Sequence, residues 1–135
     1  ISLRLVGSEM CIRDRGEKRD WYLKGWQDRP MFVSVDEDHE AAAIMIINDP
    51  VRDFDRIRSL VKQGYLVRTR ADSGTQEARS NDTVRRNKAF QSGAQAISTD
   101  YFLSTNPFDS KYSVSIQAGI RCNPVLISEN CPVLE

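Results

Sequence analysis

The residues best suited to chemistry lie in one stretch of the sequence, between Gly64 and Phe102. Arg68 and Arg70 belong to a segment of alternating polarity, residues 65–70, so a strand would place both guanidinium groups on one face. Two arginines on one face cannot enter a dry core without partners. They require carboxylates, water or a bound anion, and a phosphate or another oxyanion suits their geometry.

Three further side chains are predicted to share this site, namely Asp72, Asp100 and Tyr101. A strand, a helix and a second strand usually form parallel neighbours, whose chemistry lies at the C-terminal ends of the strands. Asp72 follows the first strand, and Asp100 and Tyr101 follow the second. All three are therefore expected on one rim with Arg70. The structural alternatives are that the acids simply pair with the arginines and that the tyrosine covers one end of the core.

The elements between these residues are a loop over residues 71–81, a helix over 83–92 and a strand over 96–99. Asp82 is expected to cap the helix, and Gly93 to end it in the left-handed conformation. The helix is expected to have a buried and a solvent-exposed side. The buried side comprises Val84, Ala89 and Phe90, and the exposed side comprises Arg85, Arg86 and Lys88.

The chain before Gly64 predicts two more strands and another helix. Residues 31–35 form one strand, and residues 41–47 form a continuous apolar run, typical of a parallel strand that is buried on both faces. A turn at 48–50 is followed by a helix over 53–62, where apolar residues recur at helical spacing. This alternation indicates an α/β domain with a parallel sheet. Its size equals about half of an eight-stranded barrel, and a small open sheet is the alternative that periodicity leaves open.

The composition excludes several classes of function. The chain has 135 residues and a formal net charge of zero, which allows one domain and gives no argument for nucleic-acid binding. No apolar stretch is long enough for a transmembrane segment. No glycine-rich phosphate loop, zinc spacing or calcium loop is present. His39 is the single histidine, so a reaction that needs a histidine base and a histidine acid cannot be completed within this chain.

The two ends of the chain carry separate predictions. Residues 5–14, LVGSEMCIRD, look like a translated sequencing-library adapter, so residues 1–15 are interpreted as a scar and residues 16–135 as a domain that lacks its N-terminal part. The alternative is a genuine, somewhat amphipathic N-terminal strand. An irregular tail begins at about residue 103, and residues 112–116 are expected to add a short strand. In this tail Cys122 and Cys131 either form a disulfide or remain two thiols. A disulfide favours an oxidising compartment, and hence a secreted or periplasmic protein.

Several motifs of this chain together resemble one family. They are GYLVRTRAD (64–72), T-x-EAR (75–79), ND-x-x-RR (81–86), AF-x-SGAQ (89–95), ISTDY (97–101), PF-x-S-x-Y (107–112) and RCNP…C (121–131). The stretch from about residue 20 to residue 131 resembles the C-terminal half of the bacterial-type calcium-dependent phosphoinositide-specific phospholipase C family.

The resemblance implies a TIM-like barrel that cleaves phosphodiesters, with calcium stabilising charge at the phosphate. In that family two histidines act as general base and general acid. They and most calcium ligands belong to the N-terminal half, so the isolated chain is expected to be inactive and to contain no catalytic residue. What carries over is the substrate-facing rim of Arg68, Arg70, Asp72, Asp100 and Tyr101, with peripheral membrane contact.

Two other functions stay open at the level of the sequence. One is a non-catalytic α/β module that binds an anionic, phosphate-bearing ligand through Arg68 and Arg70. The other is a related phosphodiesterase that acts on glycerophosphodiesters.

Overall fold

A computed structural model describes residues 11–12, 16–28, 32–116 and 121–127 of the chain. The chain divides into two compact units, Ile1–Met45 and Ile46–Glu135. In the first unit, strand β1 (Cys11–Ile12) pairs in parallel with β2 (Phe32–Val33). Helix α1 (Glu17–Leu23) and a 3-10 turn (Trp26–Asp28) lie between them in sequence.

A three-stranded sheet has the order β3-β4-β5. Its strands are β3 (Ile44–Ile46), β4 (Leu66–Arg70) and β5 (Ala96–Ser98). Helix α2 (Phe54–Lys62) leads into β4, and α3 (Gln76–Ser80) and α4 (Val84–Gln91) connect β4 to β5. Since β4 and β5 are parallel, the predicted α/β class with a parallel sheet is confirmed.

The two faces of β4 differ sharply in exposure. Val67 and Thr69 are fully buried, and both α2 and α4 pack against this strand. Leu66, Arg68 and Arg70 point to the other face and keep part of their surface accessible. The alternation read from the sequence is thus confirmed, and it directs the two arginines away from the helical layer.

Helix α2 forms as its apolar spacing predicts. Ile57, Leu60 and Val61 are buried on one side of it. The backbone N–H of Gly64 donates to the carbonyl of Val61, and Gly64 itself has a φ of 93°, a conformation that suits a residue without Cβ.

The segment predicted as a loop over 71–81 contains helix α3, so this prediction is wrong in part. The helix has only five residues, too few for a periodic pattern to register. The residue that ends this helix is nevertheless typical of a helix C-terminus. Asn81 adopts a φ of 54° just after the last turn, and asparagine tolerates that conformation.

Other details differ from the prediction. Val84 is 57 % exposed because it lies in the first turn of α4, whereas Ala89 is buried and Phe90 partly buried as predicted. Residues Arg85, Arg86 and Lys88 are only partly exposed, because their long side chains lie along neighbouring surfaces. The N-cap residue of α4 is Thr83 and not Asp82, although the carboxylate of Asp82 accepts the N–H of Val84 at 2.9 Å.

Two predicted strands also differ from the observed structure. In the run 41–47 only Ile44–Ile46 is strand, and exposure alternates along it, with Met45 buried and its two neighbours partly exposed. The run is therefore not buried on both faces. Residues 112–116 form no strand, although the N–H of Val114 donates to the carbonyl of Tyr101 at 2.8 Å. This segment is held by side chains, above all by the buried Tyr112.

Gly93 ends α4 with a φ of 82°, and the tail packs directly on it. A Cβ at this position would overlap Cγ2 of Val125 and lie 2.8 Å from its Cβ. At Gly64, by contrast, an added Cβ would meet no atom within 4 Å. The two glycines share a backbone conformation but differ in their surroundings.

We predict that Gly93→Ala destabilises the protein much more than Gly64→Ala. Both variants strain a left-handed backbone, at a cost of about 1 kcal/mol. Gly93→Ala adds overpacking against Val125, which typically costs a further ~1–3 kcal/mol. Urea unfolding of both variants measures the difference, and equal losses of unfolding free energy would contradict the packing of the tail on this glycine.

Candidate functional site

The candidate site lies at the C-terminal ends of β4 and β5. In the register of these strands Arg68 is paired with Ala96, and Arg70 with Ser98. Paired residues of parallel strands share a face, so each arginine has a small side chain beside it. The β5 positions beside the two arginines therefore carry no bulky side chain.

Arg68 is oriented by a residue that the sequence analysis missed. Its guanidinium donates to the side-chain oxygen of Asn48 at 2.9 Å. Asn48 belongs to the turn after β3, and its own backbone carbonyl accepts a hydrogen bond from Arg85 at 2.7 Å. The signal was present in the sequence, because a polar residue directly after a buried strand lies at the same rim as the ends of its neighbours.

Arg70 and Asp100 form a long ion pair, which is the structural alternative that the sequence analysis gave for these residues. The shortest nitrogen-to-oxygen distance between them is 3.9 Å, and the Asp100 side chain is 70 % exposed. An ion pair this long and this exposed to solvent contributes little to stability. An anion could therefore displace the carboxylate from the guanidinium at small cost.

Asp72 has a different environment from the other predicted site residues. Its side chain has no exposed surface. The hydroxyl of Thr99 donates to one carboxylate oxygen, and the backbone N–H of Asp100 donates to the other at 3.3 Å. Thr99 in turn accepts the N–H of Tyr101 at 2.9 Å. Asp72 thus ties the end of β4 to the segment that follows β5.

Tyr101 is turned into the core. It is 9 % exposed, and its hydroxyl donates to the carbonyl of Gly74 at 3.2 Å. Its ring packs edge-on against Tyr112, with the ring centroids 5.6 Å apart. The structure therefore brings four predicted residues to one rim, with Arg70 and Asp100 accessible and Asp72 and Tyr101 enclosed. Direct contact of any of them with a substrate stays a prediction.

The charged residues of α3 and its flanks hold their loop by separate contacts. Glu77 accepts the N–H of Ser73 at 3.1 Å, and Arg79 lies over the ring of Phe108, 4.2 Å from its centroid. These contacts hold the loop together and leave the two side chains with a structural role.

The family of the chain follows from a comparison with family models. The model for Ca2+-dependent phosphoinositide phospholipase C matches residues 8–124, most of the sequence. The chain belongs to this family. The arginines and acids at the ends of β4 and β5 are thus part of a phospholipase C chain. Comparison with curated proteins and with solved structures returned no match.

The described residues do not by themselves fit the calcium that the family description implies. Among them no group of three or more acidic, histidine or cysteine side chains is close enough to hold a metal ion. Asp72 is enclosed by its two donors, and Asp100 faces a guanidinium. No step of the reaction is therefore assigned to a metal held by these residues.

The remaining predictions concern His39, the two cysteines and the N-terminal segment. His39 is exposed, and its Nδ1 accepts the N–H of Ala41 at 3.0 Å. Cys122 is disulfide-bonded, but Cys131 lies outside the described residues, so their pairing stays a prediction. The family match begins at residue 8, within the segment 1–15, whose interpretation as a scar also stays a prediction. None of the described helices is long and apolar enough to cross a membrane.

Tyr112 holds the backbone of the residue that follows β4. It is fully buried, and its hydroxyl donates to the carbonyl of Ala71 at 3.0 Å. Burial raises the pKa of its phenol well above the usual value, and the carboxylates of Asp72 and Glu77 raise that pKa further. The folded protein therefore keeps this proton at a pH where the unfolded chain has lost it.

We predict that Tyr112→Phe lowers the free energy of unfolding by about 1 kcal/mol at neutral pH, since the Ala71 carbonyl loses its donor. The raised pKa stabilises the folded state below pH 10.0, and this contribution falls as the pH rises beyond that value. The gap between wild type and Tyr112→Phe should therefore shrink at alkaline pH. Urea unfolding on both sides of pH 10.0 measures it, and a constant gap would contradict the raised pKa.

Proposed function

We propose that the protein containing this chain hydrolyses the phosphodiester of a phosphoinositide, as its family description suggests. The observation that carries the proposal is the family match over residues 8–124, together with two arginines at the end of a parallel strand. A parallel sheet with chemistry at the C-terminal ends of its strands also suits the TIM-like barrel that the motifs imply.

In this proposal the arginines recognise the phosphate. The Arg70 guanidinium binds the non-bridging phosphate oxygens, which displace the Asp100 carboxylate from its 3.9 Å contact with the guanidinium. Arg68, fixed by Asn48, approaches from the same face of β4. Interactions that strengthen as negative charge develops on the phosphate lower the barrel enzyme's activation barrier, because they bind the transition state more tightly than the ground state.

The remaining predicted residues position this pair. Asp72 holds the backbone of Asp100 through a hydrogen bond of 3.3 Å, and so fixes where the partner of Arg70 lies. Tyr101 anchors the same segment from inside the core. Acid–base catalysis by two histidines requires a residue from outside this chain, because the sequence has a single histidine. The described residues also contain no group that could hold calcium by itself.

We propose that the rim also contacts the membrane surface. Phe102 and Leu103 directly follow Tyr101 and are 68 % and 59 % exposed. Two adjacent exposed apolar side chains beside a cationic site suit a surface with apolar chains under anionic headgroups. The disulfide at Cys122 further supports a secreted or periplasmic location, which cell fractionation would test directly.

A second candidate function is a non-catalytic module that binds phosphate-bearing ligands. The two arginines on one face of β4 would bind such a ligand without any catalytic group. The two candidates differ in turnover. Both require Arg70 for binding, but only the enzyme releases a cleaved headgroup.

We predict that Arg70→Gln lowers kcat/KM for phosphatidylinositol by about 100-fold in the active protein, the usual effect of removing one donor to a developing negative charge. Arg70→Lys should recover part of this loss, since it restores charge without the forked geometry. Arg58→Gln is the matched control, because Arg58 donates to the carbonyl of Gln91 on the outside of the sheet. An unchanged kcat/KM in Arg70→Gln would remove this residue from the site.

We predict that exchanging both Phe102 and Leu103 for serine lowers hydrolysis of phosphatidylinositol in vesicles, while hydrolysis of a short-chain, monomeric substrate stays unchanged. The variant would lose apolar surface that enters the interface but keep the arginines. Val51→Ser serves as the control, since Val51 is a comparably exposed apolar residue at 47 %. An equal loss on both substrates would instead assign the two residues to the site itself.

A further inference from the structure

Two adjacent cavities lie on the helical side of the sheet, away from Arg68 and Arg70. The first, of about 340 Å³, lies beside β5 and the segment that follows residue 121, and Arg121 and Ile97 are among its walls. The second, of about 490 Å³, lies beside α4, with Arg86 and Ser113 among its walls. Phe90 and Ser115 line both cavities, so the two cavities are neighbours that share part of their lining.

The two arginines hold their positions in the same way. Arg121 donates to the backbone carbonyl of Phe90 at 2.6 Å, and its guanidinium lies over the Phe90 ring, 4.7 Å from the centroid. Arg86 donates to the backbone carbonyl of Ser113 at 2.7 Å and lies 5.8 Å from the centroid of the Tyr112 ring. A carbonyl and an aromatic ring fix a guanidinium without neutralising its charge.

Some other arginines on the surface have carboxylate partners. Arg52 pairs with Asp53 at 2.7 Å and Arg85 with Asp49 at 3.7 Å. Neither Arg86 nor Arg121 forms an ion pair with any residue that the structure describes. Burial without an opposing charge also lowers the pKa of Arg121.

The described walls of the two cavities carry positive charge only. Arg86 and Arg121 are the charged residues among them, and no aspartate or glutamate is present in that set. Each guanidinium has five N–H donors, of which the described contacts use one. The hydroxyl of Ser115, in the lining that both cavities share, makes no hydrogen bond within the described part of the chain.

We propose that Arg86, Arg121 and Ser115 form a second anion site, which binds a phosphate group beside Ser115, the polar residue that lines both cavities. The forked donors of two guanidinium groups and a hydroxyl match the oxygens of a phosphate. The ligand is a phosphorylated small molecule or an anionic lipid headgroup, which present the same group. The site lies on the opposite side of the sheet from the proposed substrate rim and does not depend on that rim.

Titration of the full 135-residue chain with inorganic phosphate, at constant ionic strength, tests the site without any substitution. The NMR signals of the Arg86 and Arg121 Nε–H groups and of the Ser115 amide should shift together along one saturating curve. Shifts confined to Arg68 and Arg70, or shifts that never saturate, would overturn the proposal.

Variants then separate this site from the rim. Arg86→Gln and Arg121→Gln should each raise the phosphate Kd at the Ser115 amide by about tenfold, the usual effect of losing one charged hydrogen bond. Arg58→Gln is matched to them, because Arg58 also donates to a carbonyl and lies over a ring, 5.7 Å from the Phe54 centroid, but lines neither cavity. Arg70→Gln should leave this Kd unchanged. A tenfold rise in Arg70→Gln, or none in the first two variants, would contradict a separate site.

Vesicles identify the source of the phosphate. If phosphatidylcholine vesicles containing phosphatidylglycerol compete with inorganic phosphate at Ser115, the site accepts lipid headgroups. If they do not compete and inositol phosphate does, the ligand is a soluble molecule. Failure of inorganic phosphate, inositol phosphate and vesicles alike to shift the Ser115 amide would overturn the proposal.

Discussion

The buried carboxylate of Asp72 is the interaction on which the ends of β4 and β5 depend. A carboxylate with no exposed surface is stable only when its oxygens accept hydrogen bonds, and here Thr99 and the backbone of Asp100 supply them. Neither partner can move away without leaving a charge unsatisfied in the core. The segment after β5 is therefore fixed by electrostatics as well as by packing.

This constraint divides the rim into a layer that supports and a layer that is accessible. Asp72 and Tyr101 belong to the supporting layer, since both are enclosed and bonded to backbone groups. Arg70 and Asp100 belong to the accessible layer, held only by a long ion pair. Residues that the sequence predicts on one rim can thus differ in role, because some support the rim and others are accessible from it. A site for anions benefits from this division, because a rigid base lets a guanidinium stay partly exposed without losing its orientation.

Arginines on the two faces of the sheet are held by different kinds of partner. On the face of Arg68 and Arg70 the neighbours are an amide and an exposed carboxylate. On the helical face Arg86 and Arg121 are held by carbonyls and rings. The formal net charge of the chain is zero, yet its cations are not evenly neutralised by their neighbours. Local geometry, and not net charge, therefore decides where an anion is attracted.

The sequence by itself determined the elements that have strong local signals. The alternation of β4, the spacing in α2 and the glycines that end α2 and α4 follow from rules that act over a few residues. The order of elements around the parallel pair β4 and β5 also follows, because a helix between strands favours a parallel connection. These signals were enough to bring Arg70, Asp72, Asp100 and Tyr101 to one rim.

Only the tertiary structure decided which of those residues are enclosed. Burial of Asp72 depends on Thr99, 27 residues away, and the position of Tyr101 depends on Tyr112. The role of Asn48 requires the neighbouring strand, and the partial burial of Arg86 requires the tail to pass beside α4. No local pattern encodes such contacts, because their energy exists only after distant segments have packed together.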